Sequence, residues 1–247
     1  NDKALADKKK LKYWTPVDLY NGGMEHTTLH LLYSRFWHKF LFDIGVVPTA
    51  EPYARRRSHG IVLAEDHQKM SKSRGNVVNP DDMVKAVGAD ALRLYEMFMG
   101  PFEQMIPWST NGLRGMKRFL DRVWKLEAQE RPEHPMTHKT IKKVTEDVDG
   151  MKFNTAIAAL MEYVNSGEYD YATLLRLLAP FAPHITEELW ERAGNKDSVH
   201  AEPWPEYDPR LVEEDEFELV VQVNGKTRAT VTAVRGISEE DAKKMAL

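Results

Sequence analysis

The chain has 247 residues, of which 42% are hydrophobic and 29% charged, and it contains no cysteine. This composition can bury a sizeable core, while the lack of cysteine excludes disulfides and thiolate metal sites. The net charge of −4 excludes a globally basic nucleic-acid binder, so any such contact must come from local basic patches. The candidate patches are residues 8–10, 55–57 and 69–74.

The sequence has no apolar run long enough to span a bilayer and no secretory signal, so we expect no membrane partner and a cytoplasmic location. Both ends read as cut. The first twelve residues are polar without an apolar period, and a helix that Ser238 and Asp241 can cap has only just begun when the chain stops. We therefore expect a fragment, or a much-shortened relative, of a longer protein.

The first predicted elements form a strand–helix–strand unit. Residues 16–20 are predicted as a strand ending at a glycine turn, Gly22 and Gly23, and residues 24–42 as a helix. The apolar face of this helix comprises Leu29, Leu32, Tyr33, Phe36, Trp37 and Phe40. Residues 60–63 read as a second, buried strand. This order predicts a parallel sheet, in which ligands bind beyond the carboxyl ends of the strands.

The second strand leads to the run Lys69-Met70-Ser71-Lys72-Ser73, continued by Arg74-Gly75-Asn76. Lysine ammonium groups are compact charges suited to phosphate oxygens, and serine hydroxyls and backbone N–H groups can complete a phosphate cradle. Phosphoryl or nucleotidyl transfer needs such groups, because negative charge builds up on the phosphate oxygens as the leaving group departs. An exposed basic loop without a ligand is the alternative, and the whole string argues against it.

Further helices follow in chain order. Asn79 and Pro80 predict a helix start, with a helix to about residue 87, and another helix spans 90–99. A long helix is predicted over 112–127, with Leu113, Met116, Leu120, Val123 and Trp124 on one face. Its other faces carry Arg114, Lys117, Arg118, Arg122 and Lys125. This basic surface could follow an RNA backbone or simply face solvent.

The last part of the sequence predicts a helical bundle and a hairpin. Four helices are predicted after a linker at 131–135, and they span 137–149, 153–165, 171–178 and 184–192. Residues 217–223 and 227–233 alternate around Asn224 and Gly225, which predicts a β-hairpin. Since a two-stranded hairpin is marginal alone, we expect it to belong to a small α+β domain.

His26 and His30 are four residues apart and would share one face of the first predicted helix. This spacing also suits a metal ion. However, Glu25 precedes the first histidine, where the zincin pattern places a glutamate after it, and no cysteine offers a third ligand. We therefore predict no metal site. From the residues alone, a hydrogen-bonded histidine pair at a helix start remains the alternative.

The string Lys69 to Ser73 resembles the second signature of class I aminoacyl-tRNA synthetases, which binds the ATP phosphates in that family. Other segments resemble leucyl-tRNA synthetases over nearly the whole chain. They are residues 20–26, 30–33, 35–36, 76–81, 88–94, 152–157, 178–184 and 220–226.

This resemblance implies roles for the residues that carry it. Lys69 and Lys72 are implied as the catalytic phosphate-binding pair. The implied ATP-binding residues are Gly22, Gly23, Glu25, Val62, Leu63, Lys69, Met70, Ser71, Lys72 and Ser73. Glu25 would bind the ribose hydroxyls, while Val62 and Leu63 would flank the adenine. Tyr20, His26 and His30 would wall the leucine pocket.

The resemblance implies that leucine is activated by ATP, accompanied by Mg²⁺, and is then transferred to the terminal ribose of leucine tRNA. It implies ATP, leucine and leucine tRNA as partners, without a tightly bound cofactor. Catalysis would rest on positioning and charge stabilisation, so no nucleophilic side chain or general base is needed. The family also carries a His-x-Gly-His signature, which none of the nine histidines here forms. We therefore expect the chain alone to be inactive.

The predicted fold is α/β plus all-α. Residues 1–75 are expected to form the second half of a Rossmann-type catalytic domain ending in the lysine loop, and 76–108 a helical connector. Residues 109–200 are expected to form the tRNA-binding, anticodon-binding bundle, and 210–247 a truncated α+β domain. Three alternatives remain. They are a non-catalytic tRNA-binding paralog, one subunit of a split synthetase that needs a separate amino-terminal half, and a synthetase for another aliphatic amino acid.

Overall fold

The structure, a computed structural model, describes residues 4–212, 216–223, 226–234 and 238–246. The chain divides into two compact units. The first unit consists of Asn1–Arg122 and Asp147–Ala158, and the second consists of Val123–Glu146 and Ala159–Leu247.

The elements up to residue 123 are, in chain order, α1 (Lys8–Trp14), β1 (Val17–Gly23), α2 (His30–Asp43), β2 (Tyr53–His59), β3 (Val62–Leu63), α3 (Pro80–Val87), α4 (Ala89–Phe98), β4 (Ile106–Pro107) and α5 (Thr110–Val123). The elements that follow are α6 (Pro135–Asp149), α7 (Phe153–Ser166), α8 (Tyr171–Leu178), α9 (Pro183–Arg192), α10 (Pro209–Val212), β5 (Glu216–Val223), β6 (Lys226–Val234) and α11 (Glu239–Ala246).

The predicted strand–helix–strand order is present, but its second strand is not the predicted one. β1 pairs in parallel with β2, from Val17 opposite Tyr53 to Gly23 opposite His59. Of the predicted strand at 60–63, only the two residues of β3 are in a strand, and they pair in parallel with β4. The sequence does not predict β2, because its three successive arginines are typical of a solvated loop. The strand forms because its backbone is hydrogen-bonded to β1.

The glycine turn and the helix start were also predicted wrongly. Gly22 and Gly23 lie inside β1, and residues Met24–Thr27 form a short 3₁₀ helix. α2 begins only at His30, because Leu29 has non-helical backbone angles, with φ −114° and ψ −105°. His26 and His30 therefore do not share a face of one α-helix.

The apolar face of α2 is present, but it is not buried within the described residues. Its predicted members are 45–74% exposed, and Phe36 is the most exposed of them. Leu31, which was not among them, is the buried residue of this helix, at 6% exposure. The unit instead builds its core from residues such as Leu94, Leu113, Phe119 and Ile157.

The predicted helix over 112–127 ends earlier, at Val123. Four of its five predicted apolar residues are buried, namely Leu113, Met116, Leu120 and Val123. Trp124 lies beyond the helix end and is 41% exposed, with the guanidinium of Arg192 4.2 Å above its ring. Lys125 likewise lies in the turn after the helix.

The predicted helices of the bundle are present as α6 to α9. In the second unit, α8 is buried along most of its length, and Tyr163 on α7 is fully buried. β5 and β6 pair antiparallel, from Glu216 opposite Val234 to Val223 opposite Lys226, as the hairpin prediction requires. The predicted turn residues Asn224 and Gly225 lie outside the described residues. Ser238 caps α11 as predicted, because its Oγ accepts the amide N–H of Asp241 at 3.1 Å.

Candidate active site

Two glycines shape the end of β1 by leaving space for neighbouring side chains. A Cβ on Gly22 would lie 2.9 Å from Cε1 of Tyr20, because the tyrosine ring leans along the strand over this glycine. A Cβ on Gly23 would lie 2.3 Å from the Glu25 carboxylate, which folds back over the strand end. Any larger residue would displace one of these groups. The predicted leucine-binding tyrosine and ribose-binding glutamate thus depend on the adjacent glycines.

His30 packs against Tyr20, which places two of the three predicted leucine-binding residues in direct contact. Their rings stack with centroids 5.6 Å apart and planes 21° apart. His26 lies in the preceding 3₁₀ helix, and its buried Nδ1 has no hydrogen-bond partner among the described residues. A buried nitrogen without a partner is costly, so His26 has unused capacity to bond a further group.

The lysine loop begins directly after β3. Its entry is a tight turn in which the Ala64 N–H donates to the Gln68 carbonyl at 2.9 Å, and His67 has a positive φ of 61°. An isolated bridge pairs Lys69 with Leu63, while residues Lys72–Arg74 form a 3₁₀ turn that Gly75 ends in the left-handed conformation. Lys69 and Lys72 are both exposed, and within the described part of the chain neither forms an ion pair.

Asn76 holds this loop together from a position just after it. Its Oδ1 accepts the N–H of Ser71 at 2.9 Å. Its Nδ2 lies 3.5 Å from the Lys69 carbonyl and 3.4 Å from an Asp66 carboxylate oxygen. The Oγ atoms of Ser71 and Ser73 are 2.8 Å apart. Sequence reasoning noted Asn76 in the string but assigned it no role, because only the folded loop brings its amide to the backbone of the motif.

The two residues predicted to flank adenine form β3. Val62 is 37% exposed and borders a cavity of about 260 Å³. This cavity is mostly apolar, with Ile61, Met97, Phe102 and Ile106 among its lining. Leu63 is half-buried, and its carbonyl accepts the N–H of Trp108 at 2.8 Å. The strand thus offers one partly open apolar side chain close to the loop.

Glu65 connects the segment before the lysine loop to the start of α5, a link that sequence reasoning missed. Its Oε1 accepts the hydroxyl of Thr110 at 2.7 Å and the N–H of Thr110 at 3.0 Å. The side-chain bond and then the backbone bond hold the pKa of this carboxyl below its ordinary value. Thr110 is the first residue of α5, so the carboxylate caps the helix that carries most of the predicted tRNA-binding residues.

The predicted tRNA-binding residues differ in solvent exposure and in whether they already interact with another residue. Arg114 and Arg118 are exposed on α5, one turn apart. Lys117 is ion-paired with Asp121 on the same helix. Arg122 also has an interaction partner, and Lys125 is exposed beyond the helix end. The strongest available cationic pair on this helix is therefore Arg114 and Arg118.

The predicted leucine- and ATP-binding residues thus form two groups, one at the end of β1 and one in β3 and the lysine loop, which the Leu63–Lys69 bridge connects. Gly23, in the first group, lies opposite His59, after which the chain passes through Gly60 into β3. Among the described residues, no hydrogen bond or ring contact joins the two groups, and no three His, Asp or Glu side chains come together as metal ligands. No helix in the described ranges has the length and apolarity that crossing a bilayer requires.

Comparisons with known proteins match two successive parts of the chain to two families. Residues 2–109 match the family described as tRNA synthetases class I (I, L, M and V). Residues 136–241 match the family described as the anticodon-binding domain of tRNA ligase. A solved methionyl-tRNA synthetase from Mycobacterium tuberculosis, bound by methionyl-adenylate, covers 75% of this chain and is covered to 46%. At 18% identity and a TM-score of 0.56, it supports the fold alone.

Two other proteins are more similar to this chain, and both are named as leucyl-tRNA synthetases. The leucine–tRNA ligase of Alkaliphilus oremlandii (strain OhILAs) is 54% identical over an alignment of 242 residues that covers 92% of this chain. A crystal structure of a LeuRS–tRNA–LeuAMS ternary complex from Agrobacterium radiobacter is 37% identical, with a TM-score of 0.79 over 96% of this chain. The chain spans 30% of the length of the first protein and 34% of the second. The chain therefore belongs to the class I leucyl-tRNA synthetases, as a portion of such a protein.

Proposed function

We propose that this chain is the portion of a leucine–tRNA ligase that carries the second half of a Rossmann-type catalytic domain and the anticodon-binding helices. The whole protein would activate leucine with ATP and transfer it to the terminal ribose of leucine tRNA. The observation that carries this proposal is the loop of Lys69 to Ser73, in which Asn76 bonds to the backbone of Ser71 and Lys69 and both lysines are exposed.

In the first step, a leucine carboxylate oxygen would attack the α-phosphorus of ATP, and pyrophosphate would leave as leucyl-adenylate forms. Negative charge grows on the phosphate oxygens during this step. Lys69 and Lys72 would neutralise it, and the Ser71 and Ser73 hydroxyls and the loop backbone around Met70 would complete the cradle. Mg²⁺ would enter with ATP as part of the substrate. No side chain has to form a covalent bond or remove a proton.

The remainder of the nucleotide would lie between the two groups of predicted residues. The Glu25 carboxylate would accept hydrogen bonds from the ribose hydroxyls, since a carboxylate can accept from both. Gly22 and Gly23 would hold the tyrosine ring and this carboxylate in place, and Val62 and Leu63 would flank the adenine. The carboxylate's position over Gly23 supports this role, because the absence of a Cβ there leaves room for it at the strand end.

The leucine side chain would pack against Tyr20, His26 and His30. The stacked rings of Tyr20 and His30 offer a flat, partly apolar wall, while the Nδ1 of His26 is buried and has no hydrogen-bond partner among the described residues. In the second step, a hydroxyl oxygen of the terminal ribose of the bound tRNA would attack the leucyl carbonyl carbon of the adenylate. The bond from that carbon to the phosphate oxygen would break, and AMP would leave with the proton passing to its phosphate.

We further propose that residues 1–75 belong to the catalytic domain, 76–108 to a connector, 109–200 to the tRNA-binding bundle and 210–247 to a small α+β domain. Arg114, Lys117, Arg118, Arg122 and Lys125 would contact the tRNA backbone. The exposure of Arg114 and Arg118 supports this role most directly.

The test replaces the matched segment of the Alkaliphilus relative with this chain and measures leucine-dependent ATP–pyrophosphate exchange and leucylation of tRNA. The chain alone is assayed beside it, and we expect activity only in the substituted enzyme. Lys72→Ala should lower exchange by about 100-fold or more, as for loss of a charged group that stabilises a transition state. Lys85→Ala, an exposed lysine on α3, is the matched control and should leave exchange unchanged.

Exchange that survives Lys72→Ala at full rate would contradict the assignment of the lysine loop. A substituted enzyme that binds tRNA in a salt-sensitive manner but shows no exchange would favour a non-catalytic tRNA-binding protein instead. Exchange by the chain alone would disprove the expectation that a further portion of the protein is needed.

A further inference from the structure

We propose that Tyr53 is a positioning residue for the leucine pocket, because its hydroxyl selects the tautomer and ring orientation of His30. The effect on leucine binding rests on the proposed function, in which His30 is part of the wall of the leucine pocket. The order of the hydrogen bonds rests on geometry alone. Tyr53 is the first residue of β2, a strand that sequence reasoning did not predict.

The direction of each hydrogen bond follows from the bond that Ser34 makes, because Ser34 lies at the end of the network farthest from His30. The hydroxyl of Ser34 donates to the carbonyl of Leu31, at 3.3 Å, within α2. Because its proton is used there, Ser34 Oγ acts as an acceptor toward Tyr53, whose hydroxyl donates to it at 2.9 Å. The single proton of the Tyr53 hydroxyl is thereby committed, and only its lone pairs remain for a further partner.

That further partner is His30, whose Nε2 lies 3.3 Å from the Tyr53 oxygen. Since the tyrosine oxygen can only accept here, Nε2 of His30 must carry the proton. A neutral imidazole with its proton on Nε2 has its acceptor lone pair on Nδ1. Within the described residues, this Nδ1 has no hydrogen-bond partner. The network thus presents one defined acceptor atom on the ring.

Ring packing fixes the plane in which that acceptor lies. Tyr20 contacts both partners, since its ring centroid lies 5.6 Å from that of His30 and 4.7 Å from that of Tyr53. Stacking alone would allow the imidazole to turn by 180° about its Cβ–Cγ bond, which exchanges the position of each ring nitrogen with that of a ring carbon. The directional bond to Tyr53 removes this freedom, so the wall offered to leucine has one shape and one polarity.

Tyr53→Phe is a clean test, because it removes one oxygen atom and retains the ring contact with Tyr20. His30 is exposed and Tyr53 half-buried, so neither is part of the unit's core and the variant should fold. Ser34→Ala is a second variant with the opposite sign. It frees the tyrosine proton to donate to Nε2, which would move the histidine proton to Nδ1. Tyr13→Phe, an exposed tyrosine on α1, is the matched control.

The tautomer is measured on the full chain by ¹⁵N NMR of labelled histidine, with His30→Gln to assign the signals. We expect His30 to carry its proton on Nε2, with Tyr53→Phe giving averaged signals from both tautomers and Ser34→Ala moving the proton toward Nδ1. A parent signal with the proton on Nδ1, or no response to either variant, would overturn the hydrogen-bond order. This measurement needs no catalysis.

The consequence for leucine is measured in the substituted Alkaliphilus enzyme. Tyr53→Phe should raise the KM for leucine about fivefold, the factor for one ordinary hydrogen bond, with kcat changed less than twofold and the KM for ATP unchanged. An unchanged KM for leucine would overturn the positioning role even where the tautomer responds. No leucine-dependent exchange in the parent enzyme would disprove the proposed function and with it this consequence, while NMR still decides the hydrogen-bond order.

Discussion

Asn76 contributes side-chain contacts that help to hold the lysine loop. The side chain of Asn76 accepts the N–H of Ser71 and approaches the carbonyl of Lys69, so it binds the motif at two points. Without it, the loop backbone would retain mainly the local 3₁₀ turn of residues Lys72–Arg74. A loop that samples many conformations binds phosphate with a loss of affinity, because ordering it costs conformational entropy.

We therefore expect Asn76→Ala to lower kcat/KM for ATP in pyrophosphate exchange by about tenfold, roughly the value of one or two hydrogen bonds. Exchange kinetics in the substituted Alkaliphilus enzyme measure this. Asn111→Ala, an exposed asparagine on α5, is the control and should retain parent values. Parent values for Asn76→Ala would show that the loop holds its conformation without this side chain.

Tyr163 has the corresponding structural role in the second unit. Its buried hydroxyl lies 2.7 Å from Oγ1 of Thr137 and accepts the N–H of Asp170 at the same distance. Burial raises the pKa of this phenol, which keeps it neutral and able to donate. Asp170 in turn caps α8 by accepting the N–H of Thr173 at 2.9 Å. The hydroxyl thus helps to position the cap of the most buried helix.

Tyr163→Phe should destabilise the second unit by about 1–3 kcal/mol, because the N–H of Asp170 and the hydroxyl of Thr137 would lose a buried partner. Chemical denaturation of the full chain, monitored by circular dichroism, measures the change. Tyr207→Phe, at a tyrosine that is 36% exposed, should change stability by less than about 0.5 kcal/mol. Equal effects of the two variants would contradict the network.

Among the elements, α2 departs most from expectation. Its apolar periodicity predicts a helix correctly, yet the face that periodicity defines is exposed in the described structure. A contiguous exposed apolar face is unusual for a monomeric protein and is typical of an interaction surface. The periodicity reports that a face is apolar, but burial depends on what else is present to cover it.

Leu32→Gln with Phe36→Gln should leave the chain almost as stable as the parent in chemical denaturation monitored by circular dichroism. The two side chains are 57% and 74% exposed, so the free energy of unfolding should change by less than about 1 kcal/mol. Leu31→Gln on the same helix is the contrasting control, because burial of Leu31 at 6% exposure predicts a loss above about 2 kcal/mol. A large loss in the double variant would mean that the exposed face contributes to the chain's own core.

The misplaced strand and helix boundaries have one physical origin. β2 contains Arg55, Arg56 and Arg57, whose side chains give no alternating apolar signal, and it exists because β1 supplies hydrogen-bond partners. The early end of α5 and the 3₁₀ turn at Met24–Thr27 likewise depend on backbone geometry that no side-chain pattern reports. Helices with clear caps, such as the one from Asn79 to Gly88, were predicted correctly because their signals are local.

Considered as a whole, the chain is acidic, so the proposed RNA contact would have to come from a local surface and would have to overcome a net charge of −4. Arg114 and Arg118 on α5 are exposed and are the pair that we propose for this contact. Each phosphate contact releases counterions, which makes binding salt-dependent.

For the full chain and leucine tRNA, we expect the double variant Arg114→Gln, Arg118→Gln to reduce the slope of log K against log salt by about 1.5–2. Fluorescence anisotropy at several salt concentrations measures the slope. Lys196→Gln, an exposed lysine in the loop after α9, should leave it unchanged. A slope equal to that of the parent would exclude these arginines from the RNA contact.

The sequence by itself determined the family, the lysine loop, the helical bundle and the hairpin strands. These features follow from a contiguous motif, from caps and from short-range periodicity, and such information lies within a few neighbouring residues. The tertiary structure alone decided that Asn76 ties the loop, that Glu65 caps α5 and that Tyr53 lies beside His30. These contacts join residues from different elements, so their partners follow from how the backbone brings the elements together and not from spacing along the chain.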